Sequence, residues 1–578
     1  MRHIVGFAVL IALPILAGVA GQQKNAKPHG TAAPSTVCTP SPGPEAPQSF
    51  DNNSNCAVSQ QDFDTGLNEF DKVDQRTPDG LGPVYNAQAC RECHQDPVSG
   101  AASQMMEQRA GHAGSNGKFF DPVVHIDGDT ITGRSLINDR AIVDPNGPEP
   151  VPAARAQERV PEGETIRTNR LSLNILGDGF VEAIDDQTIL DIRDKQCSSD
   201  SGICGVAIWV PVVEVNQNGI ENEKRLGRFG WKDQHASLLS FAADAYLNEM
   251  GITNRLQKKE VTDVDNPTLC NTPQECRNQN TVSEPNNPRP GDQPPEDIDK
   301  FTNFMRGTKA PPRDPNLDNQ NAKAGKAVFE RIGCNQCHVE QIKTAPAGTL
   351  INAGTFAVPA ALGNKQIEPY SDFLLHDVGT GDFVAIAGAE HWGTYVSSVF
   401  VRVDAAIARR ATDLRSQGLS CKALTTAIAP EYDKARTAAL QEPAINVGTH
   451  PACPNPAAMG SLCDAGISEQ EPDPDRAEIP FARPFYERDE CDARKMAKDE
   501  CSQQTSLLDR DIQCTANKLR TPPLWGLHER TRLMHDGNSV QITDAIKRHQ
   551  GEARPVTEKF RKLSPQEQSD LIIFLKSL

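Results

Sequence analysis

Ala324-Gly325-Lys326-Ala327-Val328-Phe329-Glu330-Arg331-Ile332-Gly333-Cys334-Asn335-Gln336-Cys337-His338 is the stretch from which the rest of the chain is read. Its apolar residues recur at i, i+3 and i+4, which predicts a helix ending at Gly333. C-x-x-C-H follows at once. Two thiols at that spacing add across the vinyl groups of one porphyrin, and the adjacent histidine is delivered to the iron. The motif therefore predicts a covalently attached haem at Cys334 and Cys337 with His338 as proximal ligand. A zinc site or a thioredoxin-like dithiol uses similar spacing. Zinc would need further Cys or His pairs nearby, and none is placed for it.

The motif recurs at Cys90-Arg91-Glu92-Cys93-His94, which predicts a second haem with His94 as proximal ligand. One chance occurrence is expected on the order of once in a hundred such chains, so two are not an accident of composition. Phe63-Asp64-Thr65-Gly66-Leu67-Asn68-Glu69-Phe70 reads as a short helix ahead of it. The chain closes on Ser564-Pro565-Gln566-Glu567, an N-cap with Pro in the first turn, and then Leu571-Ile572-Ile573-Phe574-Leu575. A helix, C-x-x-C-H and a closing helix describe a cytochrome c-like domain. The expected fold is mostly α, with two cytochrome c-like haem domains and long, loop-rich, disulfide-bearing insertions. The boundaries read as a signal peptide over 1–20, a flexible lead-in over 21–60, an N-terminal haem domain over 61–284, a linker over 285–320 and a C-terminal haem domain over 321–578. The last carries an insertion at about 385–515. No internal repeat beyond the doubled haem motif is evident.

Bulk properties agree with export. Met1-Arg2-His3, an apolar run to Val19 and the small residues before Gly21 form a signal-peptide pattern with cleavage after Ala20, which places the mature chain in the periplasm. A membrane anchor is the competing reading of that segment, and no membrane span is expected after cleavage. Twelve of the 16 cysteines lie outside the haem motifs, and six of these fall in the insertion. An even remainder in an exported chain reads as disulfides, with Cys197/Cys204 and Cys270/Cys276 spaced to close small loops. The net charge of −18 makes nucleic acid and anionic lipid poor partners. Such a surface would steer a small, basic electron-donor protein.

Several strings, taken in order, resemble one family. They are Gly80-Leu81-Gly82-Pro83, Phe229-Gly230-Trp231-Lys232, Asn248-Glu249-Met250-Gly251-Ile252-Thr253, Pro369-Tyr370-Ser371-Asp372, Leu375-His376-Asp377, Arg520-Thr521-Pro522-Pro523-Leu524-Trp525-Gly526 and Met534-His535-Asp536-Gly537. With both haem motifs they resemble the bacterial di-haem oxidoreductases, relatives of di-haem cytochrome c peroxidase and of the enzyme that matures methylamine dehydrogenase. The resemblance implies an exported peroxidase-like oxidoreductase with hydrogen peroxide as substrate. Electrons would enter at the C-terminal haem, and peroxide would be reduced at the N-terminal one.

Site residues follow from the same resemblance. Counting from His535, the second axial ligand of the C-terminal haem falls on His549, where relatives place Met or Tyr. Glu249 would be the acid–base residue over the open face of the N-terminal haem. Trp231 would lie between the haems and carry electrons. Phe241 stands where relatives often have Gln. The sixth ligand of the N-terminal haem is His112, His125 or neither. A calcium ion between the haems would take main-chain carbonyls near Arg530 and Arg532. Two other functions fit these residues: a non-catalytic di-haem electron carrier with both irons six-coordinate, and a maturase-like oxidase of a partner protein. No spare Cys-x-x-Cys pair remains for a thiol oxidoreductase.

Overall fold

Ser59 starts the first helix that matters to the sites, α1 (Gln60–Asp71), by accepting a hydrogen bond from Asp62 N. The computed structural model in which it is seen describes residues 38–578 except 77–78, 83, 114–118, 127–128, 132–133, 142–156, 200, 215–223, 258–295, 318, 383 and 385–517. Phe63, Gly66 and Phe70 line the buried face of α1. Further along come the strands β1 (Met106–Ala113), β2 (Phe119–Phe120), β3 (Leu136–Ile137) and β4 (Ile166–Leu171). They form one four-stranded sheet in which β1 pairs with all three others. The longest ladder is antiparallel and runs from Met106 opposite Leu171 to Gly111 opposite Ile166.

Helix α2 (Leu238–Met250) is capped by Ser237 and stopped by Gly251 in the left-handed conformation at φ 70°. Helix α3 (Asp297–Gly307) opens with a reciprocal capping box between Glu296 and Asp299. This helix lies inside the 285–320 stretch read above as linker. The prolines end at Pro295 and the helix begins two residues later, so the breaker run conceals its start. The helix predicted ahead of Cys334 is α4 (Gln320–Ile332), capped by Asn319 and stopped by Gly333 at φ 101°. Then come β5 (Leu375–Asp377) and β6 (Lys518–Arg520), paired antiparallel on either side of residues 385–517 in sequence. Two more helices near the C-terminus are α5 (Ile542–Arg548) and α6 (Pro565–Lys576). The closing helix opens on Ser564 as N-cap with Pro565 in its first turn, as expected, and Glu567 completes a capping box.

The expectation of a mostly α fold is corrected. Of the interpretable residues 34% are helical and 17% lie in strands, spread over several small sheets. Most ladders are only two or three residues long, too short for alternation to be legible. The longest strand, Met106–Ala113, contains no β-branched residue and so reads as loop. Cys197 and Cys204 are disulfide-bonded, as are Cys38 and Cys56. Cys270/Cys276 and the insertion lie outside the described residues.

Two helix pairs frame the two haem motifs in the same way. In the first, α1 crosses α3 at Gly66, where a Cβ would collide with the Lys300 carbonyl and the Phe304 side chain. Phe63 and Phe70 then pack on Phe304, with ring centres 5.2 and 4.8 Å apart. In the second, α4 crosses α6 at Gly325, which faces the Asp570 carbonyl and Phe574. Phe329 packs on Phe574 at 5.3 Å. Each glycine is followed four residues later by a phenylalanine, and each facing carbonyl likewise, so the doubling extends well beyond C-x-x-C-H. One apolar core runs across both halves, joining Phe180, Ile184 and Phe229 to Ile342, Leu362 and Phe373.

Substituting Gly325→Ala tests the crossing. Helix propensity alone would make Ala better by about 1 kcal/mol. The contact with Asp570 instead predicts a lower midpoint in urea unfolding, and an equal or higher midpoint would remove the crossing as a constraint.

Candidate active site and haem cavities

The eight described cysteines divide into two kinds. Cys38, Cys56, Cys197 and Cys204 are disulfide-bonded, whereas Cys90, Cys93, Cys334 and Cys337 carry unpaired thiols. Burial pushes the Cys93 and Cys334 thiols up to about 12. Thiols held neutral by burial are not poised as redox thiolates.

Cys90 to Cys93 form a single helical turn, and His94 N donates back to Cys90 O and Arg91 O, so the ring emerges at the turn's end. His94 packs on Phe70 at 6.2 Å. It lines a cavity whose walls include Glu107, Arg109, Trp231, Phe241 and Glu249. Burial holds the imidazole down to about 4, in its neutral, metal-binding form. A hydrogen bond to the Leu173 backbone acts in the opposite direction and is outweighed by burial.

The second motif forms a short 3-10 turn, and His338 packs on Phe329 at 6.4 Å, repeating the first arrangement. Its cavity is more apolar, walled by Phe329, Leu524, Leu527, Ile542, Ile546 and Val556. His338 Nδ1 donates to Tyr370 O at 3.0 Å. His549, at the C-terminus of α5, donates from Nδ1 to Ala545 O at 2.7 Å. Because a carbonyl only accepts, both Nδ1 atoms carry the proton and both Nε2 lone pairs are left for a metal. The two ring centres are 6.5 Å apart. Imidazoles bound to opposite sides of one metal, at bonds of about 2 Å, have ring centres a little over 6 Å apart, so this donor set fits a six-coordinate iron.

Trp231, Leu171, Ser172 and Leu173 form a wall common to both cavities. Trp231 Nε1 donates to Leu171 O at 2.8 Å. Leu171 N donates to His535 O at 2.6 Å, and the His535 ring stands edge-on to Trp231 at 6.2 Å. His535 lines the second cavity.

A family model described as "di-haem oxidoreductase, putative peroxidase" matches residues 123–392 and 502–578, more than half of the 578. The chain belongs to this family. Comparison with curated proteins and with solved structures returned no match. The matched residues hold Trp231, Glu249, the second haem motif, His535 and His549, while Cys90–His94 precede them.

In this di-haem oxidoreductase the residues predicted from sequence are distributed unevenly. Glu249 lines the first cavity, and its Oε2 accepts from Asn86 Nδ2 at 2.7 Å. His112 is not among the residues lining that cavity; its Nδ1 pairs with Glu164 Oε2 at 2.8 Å and its ring stacks on Phe120. The pleat of β1 explains this, because Glu107, Arg109 and Gly111 share one face and His112 points to the other. His125 is exposed in a short strand. The carbonyls of Pro523, Trp525 and Gly537 accept from the guanidinium groups of Arg530 and Arg532. Among the described residues the one cluster of three Cys, His or carboxylate ligands is Cys337, Asp372 and His376.

Three functional neighbours were not foreseen. Glu107 and Arg109 enter the first cavity from β1, and only their two-residue spacing could have suggested a shared face. The third is the buried His376, held between Asp372 Oδ2 at 2.9 Å and Glu552 Oε2 at 3.0 Å beside Cys337. Burial opposes its charge, yet the acceptors around it raise its pKa well above the ordinary value. Glu552 also accepts from Lys518 Nζ and Asp377 N, so it ties the β5–β6 ladder to the segment carrying His549. Burial acts to raise the Glu552 carboxyl; His376 and Lys518 overcome it and hold it down to about 2, from 4.5.

A carboxylate depressed on folding stabilises above its unfolded value, and the contribution is lost as pH falls through the folded one. Glu552→Gln is expected to lower unfolding free energy by roughly 2–3 kcal/mol near neutral pH. The gap from wild type should close between about pH 4.5 and 2 in denaturation curves. A pH-independent gap would mean the lost contact is not ionic.

Proposed function

We propose that this chain is an exported, periplasmic c-type cytochrome peroxidase with two covalently bound haems, at Cys90/Cys93 and Cys334/Cys337. His94 and His338 are the proximal ligands, and His549 completes the coordination of the C-terminal haem. The bound haems supply the redox chemistry, taking electrons from a small donor protein on the C-terminal side and reducing hydrogen peroxide on the N-terminal side.

The observation that carries this reading is the difference between the cavities. His338 faces a second imidazole with ring centres 6.5 Å apart. Among the described residues, no second histidine lines the cavity of His94, which presents Glu249 instead. A saturated iron suits electron transfer, whereas an open position beside a proton donor suits peroxide. Glu249 is positioned by the end of α2, where its carbonyl accepts from Asn86 N and Ala87 N. Burial and the neighbouring Glu107 raise its carboxyl well above the usual range, which supports a proton-bearing acid at neutral pH. Trp231, in the wall common to both cavities, shortens the path between them and keeps water out of it.

Low-temperature EPR of the ferric protein, oxidised and half-reduced, tests the assignment. One high-spin signal in either state is expected, and two low-spin signals persisting through half-reduction would favour the electron-carrier reading. His549→Ala should convert the low-spin haem to high spin; an unchanged spectrum would exclude His549 as ligand. Glu249→Gln should keep both haem spectra and lose peroxide turnover by about a hundredfold or more. Unimpaired turnover would remove Glu249 from the chemistry.

A further inference from the structure

Opposite Glu249 in the first cavity stands a second carboxyl, Glu107, from a different element. Arg109 grips it with both arms, Nε to Oε1 at 2.9 Å and Nη2 to Oε2 at 3.1 Å. Arg170, its cross-strand partner, approaches Oε1 at 3.9 Å. The Glu107 and Glu249 carboxyls line the same buried cavity and interact directly. Two buried carboxyls that repel each other when both ionised are most stable holding one proton between them. Which member carries it follows from the neighbours. A bidentate guanidinium stabilises the ionised form of Glu107, whereas Glu249 receives a neutral amide, Asn86 Nδ2.

We infer that Glu107, Arg109 and Glu249 form a one-proton carboxyl pair in which Glu107 stays ionised and positions the proton-bearing Glu249 for peroxide. This rests on the peroxidase reading of the site and deepens it. Glu249 gives its proton to the departing peroxide oxygen while the pair takes up the proton of the other oxygen, so the pair ends as it began. The electrons are those of the proposed haem reaction. Phe241, which also lines the cavity, carries no polar group, and Glu107 supplies the second carboxyl from the sheet. The burial trend agrees: it acts to raise both carboxyls, and Arg109 overcomes it only at Glu107. The other titratable groups lining the cavity are Cys93, His94, Asp139, Arg170, Lys232 and Asp244.

The test is infrared spectroscopy of the two-haem protein together with turnover. Wild type at neutral pH should show the carbonyl band of a protonated carboxylic acid that is absent in Glu249→Gln. In Glu107→Gln the amide donates to Glu249, which ionises, so the same band should vanish at neutral pH and return on acidification. Haem spectra should be unchanged and peroxide turnover should fall about a hundredfold. Glu107→Asp, which keeps the charge, should retain the band. A band that persists in Glu107→Gln at neutral pH, or that is absent from wild type, would overturn the pair. A band that behaves as expected in a protein without peroxide turnover would uphold the pair and overturn the peroxidase reading instead.

Discussion

The glycine crossings are the constraint on which both sites depend. Gly66 and Gly325 bring one helix of each pair down onto a carbonyl of the other, Lys300 and Asp570. Only that approach lets a phenylalanine one turn later sit between the partner helix and the motif histidine. Phe70 touches His94 and Phe329 touches His338, at 6.2 and 6.4 Å between ring centres. Each motif histidine is thus oriented by a helix pair rather than by its own flexible turn. A larger residue at either glycine would separate the helices and release the aromatic wedge, and the motif histidine would lose its orientation.

This explains what could be read from the residues and what could not. The helix before Cys334, the closing helix and both motifs carry their signals locally, in caps, stops and apolar spacing, and they were legible. Helix α3 was not, because the proline run ahead of it masks a start that depends on the Glu296–Asp299 capping box. The sheet was less legible still. Met106–Ala113 has the composition of a loop and becomes a strand through its ladder to Ile166–Leu171, a pairing across more than fifty residues that local propensity does not report. Glu107 escaped notice for the same reason. A glutamate two residues before an arginine is unremarkable until a strand gives both one face.

Charge is arranged differently inside and out. The chain is strongly acidic as a whole, yet the walls of its cavities hold Arg109, Arg170, Lys232, Arg520, Arg530 and Arg532. Buried cations need partners, and several find carbonyls or single carboxylates, as Asp382 shows by bonding both Arg170 and Lys232. Around the first cavity these cations face the carboxyls of Glu107, Asp139, Asp244 and Glu249, whereas among the described residues no carboxylate stands with them in the wall of the second. The second lining therefore suits the carboxylates of a porphyrin.

The two cavities share a frame and differ in what the chain sets opposite the motif histidine. On the C-terminal side a helix end presents His549, with its Nδ1 fastened to the carbonyl one turn back. On the N-terminal side a strand presents alternate residues, and the parity of the pleat decides which ones enter. Odd positions bring Glu107 and Arg109 into the cavity; the even position His112 is turned away and engages Glu164. A register shift of one residue would bring Met106 or Gln108 to the place of Glu107 and take the second carboxyl out of the cavity. The register of Met106–Ala113 against Ile166–Leu171, rather than the haem motifs, therefore decides whether a second carboxyl stands beside Glu249.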